Sequence, residues 1–277
     1  MPGSGRGRSP ATNPCRLSVI DDLASRLREA RRVAVLTGAG MSAESGIPTF
    51  RDALTGLWAN YDPEELATPE GFRRQPRLVW DWYAERRAAI CATRPHAGHV
   101  ALAEMERRVP HFTLITQNID GLHAIAGSHA PVELHGNIRR VRCDREGTRY
   151  EEWDETGERP PRCPACGAFL RPDVVWFGEV LPIEALRTAW AAASTCDLFL
   201  SVGTSNLVEP AASLPWMAHE AGGAVVVINP SSEGQRRGSG ISWLEGTAGR
   251  ILPAMMQAAW PEAPGAPSVV SPPRRGV

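Results

Sequence analysis

The sequence predicts an α/β fold: a Rossmann-like parallel sheet carrying a smaller inserted domain. Three observations carry that prediction. Four short apolar runs, VAVLT (33–37), FTLIT (112–116), DLFLSVG (197–203) and AVVVIN (224–229), alternate with stretches of helical pattern. Their apolar residues are nearly continuous, the pattern of strands covered on both faces. Two segments break the rhythm: 62–92 is helical, and 139–172 holds three cysteines, many charges and a Pro-rich turn.

The Rossmann-like core then comprises 16–61, 93–138 and 173–260, with 62–92 as a helical module and 139–172 as a zinc-ribbon-like module of the small domain. The ends, 1–15 and 261–277, are rich in Gly, Pro, Arg and Ser and are expected to be disordered tails. A ligand site is expected between the domains, at the carboxyl ends of the strands.

Composition excludes several function classes. With 31 acidic against 30 basic residues, no global field recruits nucleic acid or an anionic membrane. All 30 basic residues are arginine, so lysine Schiff-base and lysine general-base chemistry are excluded. No apolar run is long enough to span a membrane and the N-terminus lacks a secretory apolar region, so a cytoplasmic location is expected. The 6 cysteines then read as metal ligands or buried thiols before disulfides.

After the first strand comes GAGMSAESGIPTFRD (38–52). Gly38 and Gly40 permit a tight turn and close backbone approach, and a helix starting near Met41 to Glu44 would aim its amides at a phosphate. The third position of the dinucleotide fingerprint is Ala43, which the looser form tolerates. A lone Gly-x-Gly is as often a plain strand-to-helix turn.

This run, followed in order by TQNIDGLH (116–123), LHGN (134–137), VVWFGE (174–179) and GTSNLVEPA (203–211), resembles the sirtuin family of NAD-dependent protein deacylases. The motifs extend over roughly 16–260. The resemblance implies that NAD is consumed: the nicotinamide–ribose bond breaks, the acyl-lysine oxygen captures the ribose, and a base deprotonates a ribose hydroxyl. It assigns that base to His135, a residue type whose pKa suits the task. It places Asn118 and Asp120 at the nicotinamide and its ribose, with Gln117 and Ile119 beside them. Without the family, Asn118 or Asp120 reads as a helix cap.

The same resemblance puts Gly38, Ala39, Gly40, Ala43, Glu44, Phe50 and Arg51 in the loop that closes on NAD, Arg51 toward a phosphate and Phe50 screening the ribose from water. Gly203, Thr204 and Ser205 match a second phosphate turn, and Asn229 and Ala248 the adenosine half. VVWFGE matches the segment beside which an acyl-lysine protein substrate adds as a strand, with Val175, Trp176 and Phe177 lining the acyl tunnel. A short buried strand fits that composition equally well.

Cys163 and Cys166 form a Cys-x2-Cys pair, but the first pair is Cys143 with Glu146 where the family has its second cysteine. Three thiolates with a carboxylate or water can hold zinc tetrahedrally, and the expected role is structural. Cys15, Cys91 and Cys196 lack partner spacing.

ELATPEGFRRQPRLVWDWYAERR (65–87) resembles the class III branch, in which a tyrosine and an arginine spaced like Tyr83 and Arg86 recognise an acidic acyl group. A guanidinium can hold a succinyl or malonyl carboxylate by two parallel hydrogen bonds while a phenol donates a third. Ala67 matches a small residue that leaves the pocket wide. On helical pattern alone the stretch is a surface helix whose Arg86 snorkels, with Glu85 and Arg87 as solvated neighbours. Two alternatives stand beside this reading: protein mono-ADP-ribosyl transfer, which uses the same activated sugar with a different acceptor, and a non-catalytic NAD-binding or zinc-ribbon interaction module, against which the intact QNID and LHGN motifs argue. The sequence does not specify an oligomeric state.

Overall fold

The computed structural model describes residues 14–48, 66–231 and 240–261. Helix α1 (Pro14–Glu29) leads into strand β1 (Arg32–Thr37) and a single-turn helix α2 (Ala39–Ala43). Helices α3 (Pro69–Arg74), α4 (Pro76–Cys91) and α5 (Ala97–Arg108) precede β2 (His111–Thr116) and the short α6 (Leu122–Ile125). Next come β3 (Val132–Glu133), β4 (Gly136–Cys143), β5 (Arg149–Tyr150) and β6 (Leu170–Val174). The last described elements are α7 (Ile183–Thr195), β7 (Leu198–Val202), α8 (Leu214–Glu220), β8 (Ala224–Asn229), β9 (Ile241–Glu245) and α9 (Ala248–Ala259).

The four expected strands all form, and their pairings are all parallel, in a six-stranded sheet of order β3-β2-β1-β7-β8-β9. Alternate residues feed opposite layers, as the strand pleat requires. Val33 and Val35 of β1 pack with Leu27 of α1, Leu102 and Met105 of α5, and Ile251 and Met255 of α9. Ala34 and Leu36 face the other way, with Ala189 and Ala193 of α7 and Leu214 and Ala218 of α8. Strands β3 and β9 escaped the sequence reading for a physical reason. β3 is two residues long, and only Ile241 and Leu244 of edge strand β9 are buried, so it carries no continuous apolar run.

Strands β5-β4-β6 make a separate antiparallel sheet, and α3 and α4 pack against it. Residues expected in the N-terminal tail, Pro14 and Cys15, already belong to α1. The VVWFGE segment is not a strand beyond Val174, where β6 ends. Its amides are taken singly, Val175 N by His135 O and Phe177 N by Ala67 O, both at 2.9 Å, so no ladder continues. Among the described residues no helix is long and apolar enough to cross a membrane.

Helix α4 divides its side chains between two cores. Phe72 of α3 joins Val79, Trp82 and Tyr83 of α4 in one, while Trp80 packs with Val141, Cys143, Cys163 and Leu170 in the other. Arg87, expected to be solvated, is instead 7% exposed. Its guanidinium lies between the rings of Trp80 (5.2 Å) and Trp153 (4.7 Å) and donates to Glu155 at 2.9 Å. Stacking with a charge partner replaces the lost hydration, which helix periodicity cannot register.

Three histidines stack beneath the Gly-rich turn, with ring centroids 4.3 Å apart for His96 and His99 and 4.9 Å for His99 and His123. His96 Nδ1 accepts from Gly98 N at the start of α5, so its Nε2 carries the proton and donates to Met41 O at 2.6 Å. His123 Nε2 contacts Thr37 Oγ1 at 2.9 Å. Burial lowers His99 to about 2 and His123 to about 4, with neighbouring histidines adding to both shifts. Both are therefore neutral in the folded chain, whereas the unfolded chain protonates them near pH 6.5.

Their contribution to stability is complete above that value and is lost as pH falls toward the folded pKa. Unfolding free energy from urea titrations is expected to decline between about pH 6.5 and 5, by up to about 1.4 kcal/mol per pH unit for each histidine. The His123→Gln variant should show a slope shallower by one proton, and an unchanged slope would refute the assignment.

Candidate active site

The parallel sheet reverses its order between β1 and β7, which opens a crevice at their carboxyl ends. Two turns meet there. Gly38 N donates to Val202 O at 3.1 Å and Gly40 N to Gly203 O at 2.7 Å. A Cβ at Gly40 would lie 2.8 Å from the Gly203 carbonyl oxygen, and Gly203 has φ +61°, so this backbone contact needs glycine on both sides. The amides of Gly40 and Met41 are satisfied within the turns, Met41 by Gly38 O at 2.9 Å. These two amides therefore hold the turns together.

Ala39 and Ala43 are exposed around this turn, open to a ligand. Glu44 is directed elsewhere: its Oε1 accepts from Gly249 N at 2.8 Å, at the start of α9 beside the buried Ala248. A carboxylate at a helix N-terminus is favourable on electrostatic grounds alone. Thr204 links three strand ends, since its Oγ1 accepts from Gln117 Nε2 at 3.0 Å and its carbonyl from Asn229 Nδ2 at 3.1 Å. Ser205, the next residue, is exposed. Phe50 and Arg51 lie outside the described residues.

After β2 the QNID segment folds onto α2. Asn118 donates both hydrogens of Nδ2, to Gly38 O at 2.9 Å and Ser42 Oγ at 2.8 Å, which leaves Oδ1 to receive a donor. Asp120 is divided in the same manner. Its Oδ1 accepts from Leu122 N at 2.8 Å, two residues on, while Oδ2 accepts from Ser42 Oγ at 2.6 Å. Asp120 O receives Arg139 Nε at 2.6 Å, and Ile119 O receives Ile138 N at 2.8 Å.

His135 follows β3. Its Nδ1 lies 2.9 Å from Gln117 O, an acceptor only, so Nδ1 holds the proton and Nε2 keeps a lone pair. Burial lowers its pKa, and the carbonyl bond offsets part of that shift. The flanking residues are pinned by charge: Asn137 and Arg140 both donate to Glu133 at 2.6 Å, and Arg140 also to Asp173 at 3.0 Å.

Tyr83, Ala67 and Trp176 come together in the small domain's core, each 3% exposed or less. Trp176 Nε1 donates to Tyr83 Oη at 2.9 Å. Arg86 lies over the Trp82 ring at 5.0 Å. Burial raises the Tyr83 pKa and lowers that of Arg86, while each favours the other's charged form. Half-buried Val175 and exposed Phe177 flank Trp176. Glu179 anchors this loop by accepting from Trp176 N at 2.8 Å, from Arg142 at 2.9 Å and 3.0 Å, and from Arg171.

Cys143, Cys163 and Cys166 bring their sulfurs within 4.8 Å of one another, Cys143 and Cys166 at 3.5 Å. Tetrahedral zinc with bonds of about 2.3 Å needs sulfurs roughly 3.8 Å apart, so the three fit. Tyr150 Oη lies 3.3 Å from Cys163 Sγ, and this hydrogen bond is the largest cause of a lowered Cys163 pKa, about 7, which favours the ligating thiolate. Glu146 N donates to Cys143 Sγ at 3.4 Å, so the carboxylate-bearing residue is adjacent to the cluster. Cys91 is exposed and Cys196 buried, both apart from it.

Several site residues escaped sequence reasoning. Ser42, which joins Asn118 to Asp120, lay inside the quoted GAGMS run but carried no separate signal. Arg139, Arg171 and Glu179 act across domain segments that sequence spacing does not relate.

Residues 38–210 match the Sir2 family model. A protein of Pseudomonas aeruginosa called NAD-dependent protein deacylase 1 is 49% identical over 85% of this chain and 97% of its own length. One of Aquifex aeolicus, called NAD-dependent protein deacylase, is 53% identical over 73% of this chain and 84% of its own. A Sir2 homologue crystallised with NAD superposes with a TM-score of 0.78 at 41% identity, over 86% of this chain and 93% of that one. With the motif order, the sheet reversal and the site geometry in agreement, the chain belongs to the Sir2 family.

Proposed function

We propose that the chain is an NAD-dependent protein-lysine deacylase that removes acetyl groups and acidic acyl groups such as succinyl and malonyl. The products would be nicotinamide, O-acyl-ADP-ribose and free lysine. These 277 residues contain no lysine side chain, so the acyl-lysine substrate belongs to another protein. The relatives' activity and their NAD-bound structural neighbour support the reaction class.

The observation that carries the catalytic reading is the His135 tautomer. With Nδ1 committed to Gln117 O, Nε2 is available to take a proton from a ribose hydroxyl. Asn118 Oδ1 has the remaining capacity to receive a carboxamide N–H, and Ser42 holds Asn118 and Asp120 in register. In the small domain, a buried phenol and a guanidinium one helical turn apart match the charge of an acidic acyl terminus. The fit of three sulfurs supports a structural zinc held by Cys143, Cys163 and Cys166, with Glu146 or water as the fourth donor.

The decisive experiment is NAD-dependent turnover of matched acetyl-, malonyl- and succinyl-lysine peptides, read by mass spectrometry. His135 must be neutral to act, and its pKa is depressed, so activity is retained as pH falls until below the ordinary imidazole value. The acid limb of kcat/KM is expected below about pH 6.5. His135→Tyr should fold and lose deacylation; substantial turnover by that variant would remove His135 as the base.

Arg86→Met is expected to lower kcat/KM for the succinyl peptide by about tenfold or more relative to acetyl. Equal losses for both peptides would defeat the carboxylate clamp. Metal analysis of the purified chain should give about one zinc per molecule. Cys163→Ser should reduce that content and the Tm, and a metal content unaffected by the substitution would exclude this site.

A further inference from the structure

Tyr83 and Trp176 are joined by a buried hydrogen bond whose direction is fixed by chemistry. The indole Nε1–H can only donate, so the phenol oxygen accepts it, at 2.9 Å. Arg86, one turn along α4 from Tyr83, is likewise a donor without acceptor capacity. Neither neighbour can take the phenol's own proton. Tyr83 is 3% exposed and Trp176 2%, so the hydroxyl is also withdrawn from bulk water. Burial raises its pKa, and the hydroxyl keeps its proton at any working pH.

The indole is held firmly enough to impose this orientation. The Arg171 guanidinium lies 3.9 Å from the Trp176 ring centroid, and the Phe72 ring packs against the indole with centroids 5.4 Å apart. Glu179 Oε2 accepts the Trp176 backbone N–H at 2.8 Å, and Arg142 and Arg171 in turn hold Glu179. Moving the indole would break contacts to α3, α4 and β6 together.

From this geometry we infer that Trp176 is a positioning residue for acyl specificity. By donating to Tyr83 it turns the phenol O–H away from the indole and toward an acceptor at the acyl terminus, and so favours a carboxylate over a methyl group. The inference rests on the proposed acid-binding role of Tyr83 and Arg86. It adds a role for Trp176 beyond lining the acyl tunnel.

The test is a double-mutant cycle on the full chain with NAD, comparing kcat/KM for succinyl-lysine and butyryl-lysine peptides. Trp176→Phe is expected to lower the succinyl-to-butyryl ratio by about tenfold when Tyr83 is present. In the Tyr83→Phe background it should leave the ratio unchanged, because no hydroxyl remains to orient. Equal falls in both backgrounds would mean that Trp176 acts by shape, and would overturn the inference while leaving the acid-binding reading intact.

If Tyr83→Phe alone leaves the ratio unchanged, the acid-binding reading fails and the inference fails with it. Because Trp176→Phe removes volume from a packed core, benzothienylalanine in place of Trp176 provides a second arm. That analogue keeps the ring shape but has sulfur where the indole has N–H. A drop in the ratio matching Trp176→Phe supports the inference, and a ratio equal to that of the unmodified chain overturns it.

Discussion

The backbone contact between the Gly38–Gly40 turn and Gly203 is the constraint on which the rest of the site depends. At the point where the sheet reverses, two strand ends must diverge yet leave their loops touching. Side chains at Gly40 or Gly203 would force those loops apart. With the turns in contact, Gly38 O is presented to Asn118, Thr204 reaches Gln117, and Ser42 falls beside Asp120. The polar residues of three strand ends are thereby assembled by a packing requirement among atoms that carry no charge.

A second feature is how little of the polar chemistry is left unassigned. Asn118 spends both hydrogens on the protein and keeps one acceptor; Asp120 gives one oxygen to a backbone amide and the other to Ser42. His135 is set in one tautomer by a main-chain carbonyl. The remaining capacity of each group is acceptor only, so a ligand meets a defined pattern of acceptors. Orienting these groups before the ligand arrives avoids reorganising them during the reaction.

The small domain applies the same principle to helix α4. Its tryptophans anchor two cores, Arg87 is clamped between aromatic rings, and Tyr83 meets Trp176 from the loop after β6. Glu179 ties that loop to Arg142 and Arg171, which lie on the strands bearing and adjoining the cysteine cluster. The cysteine cluster and the Tyr83–Trp176 pair are thus linked through one ion-pair network.

Much of this was legible in the sequence. Continuous apolar runs identified the four long strands, because strands buried on both faces leave no polar alternation. Cys163 and Cys166 announced themselves by spacing, and the ordered motifs pointed to His135, Asn118 and Asp120. Local patterns cannot report which distant groups a side chain meets. Arg87 looked solvated on helical pattern alone until two rings from separate segments enclosed it, the bond from Gly249 N to Glu44 joins residues 205 positions apart, and Ser42 had no visible role until α2 met the QNID loop. The sequence by itself determined four strands of the parallel sheet, the family motifs and the donor types. Only the tertiary structure decided hydrogen-bond direction, tautomer and burial, because those depend on atoms brought together across many residues of chain.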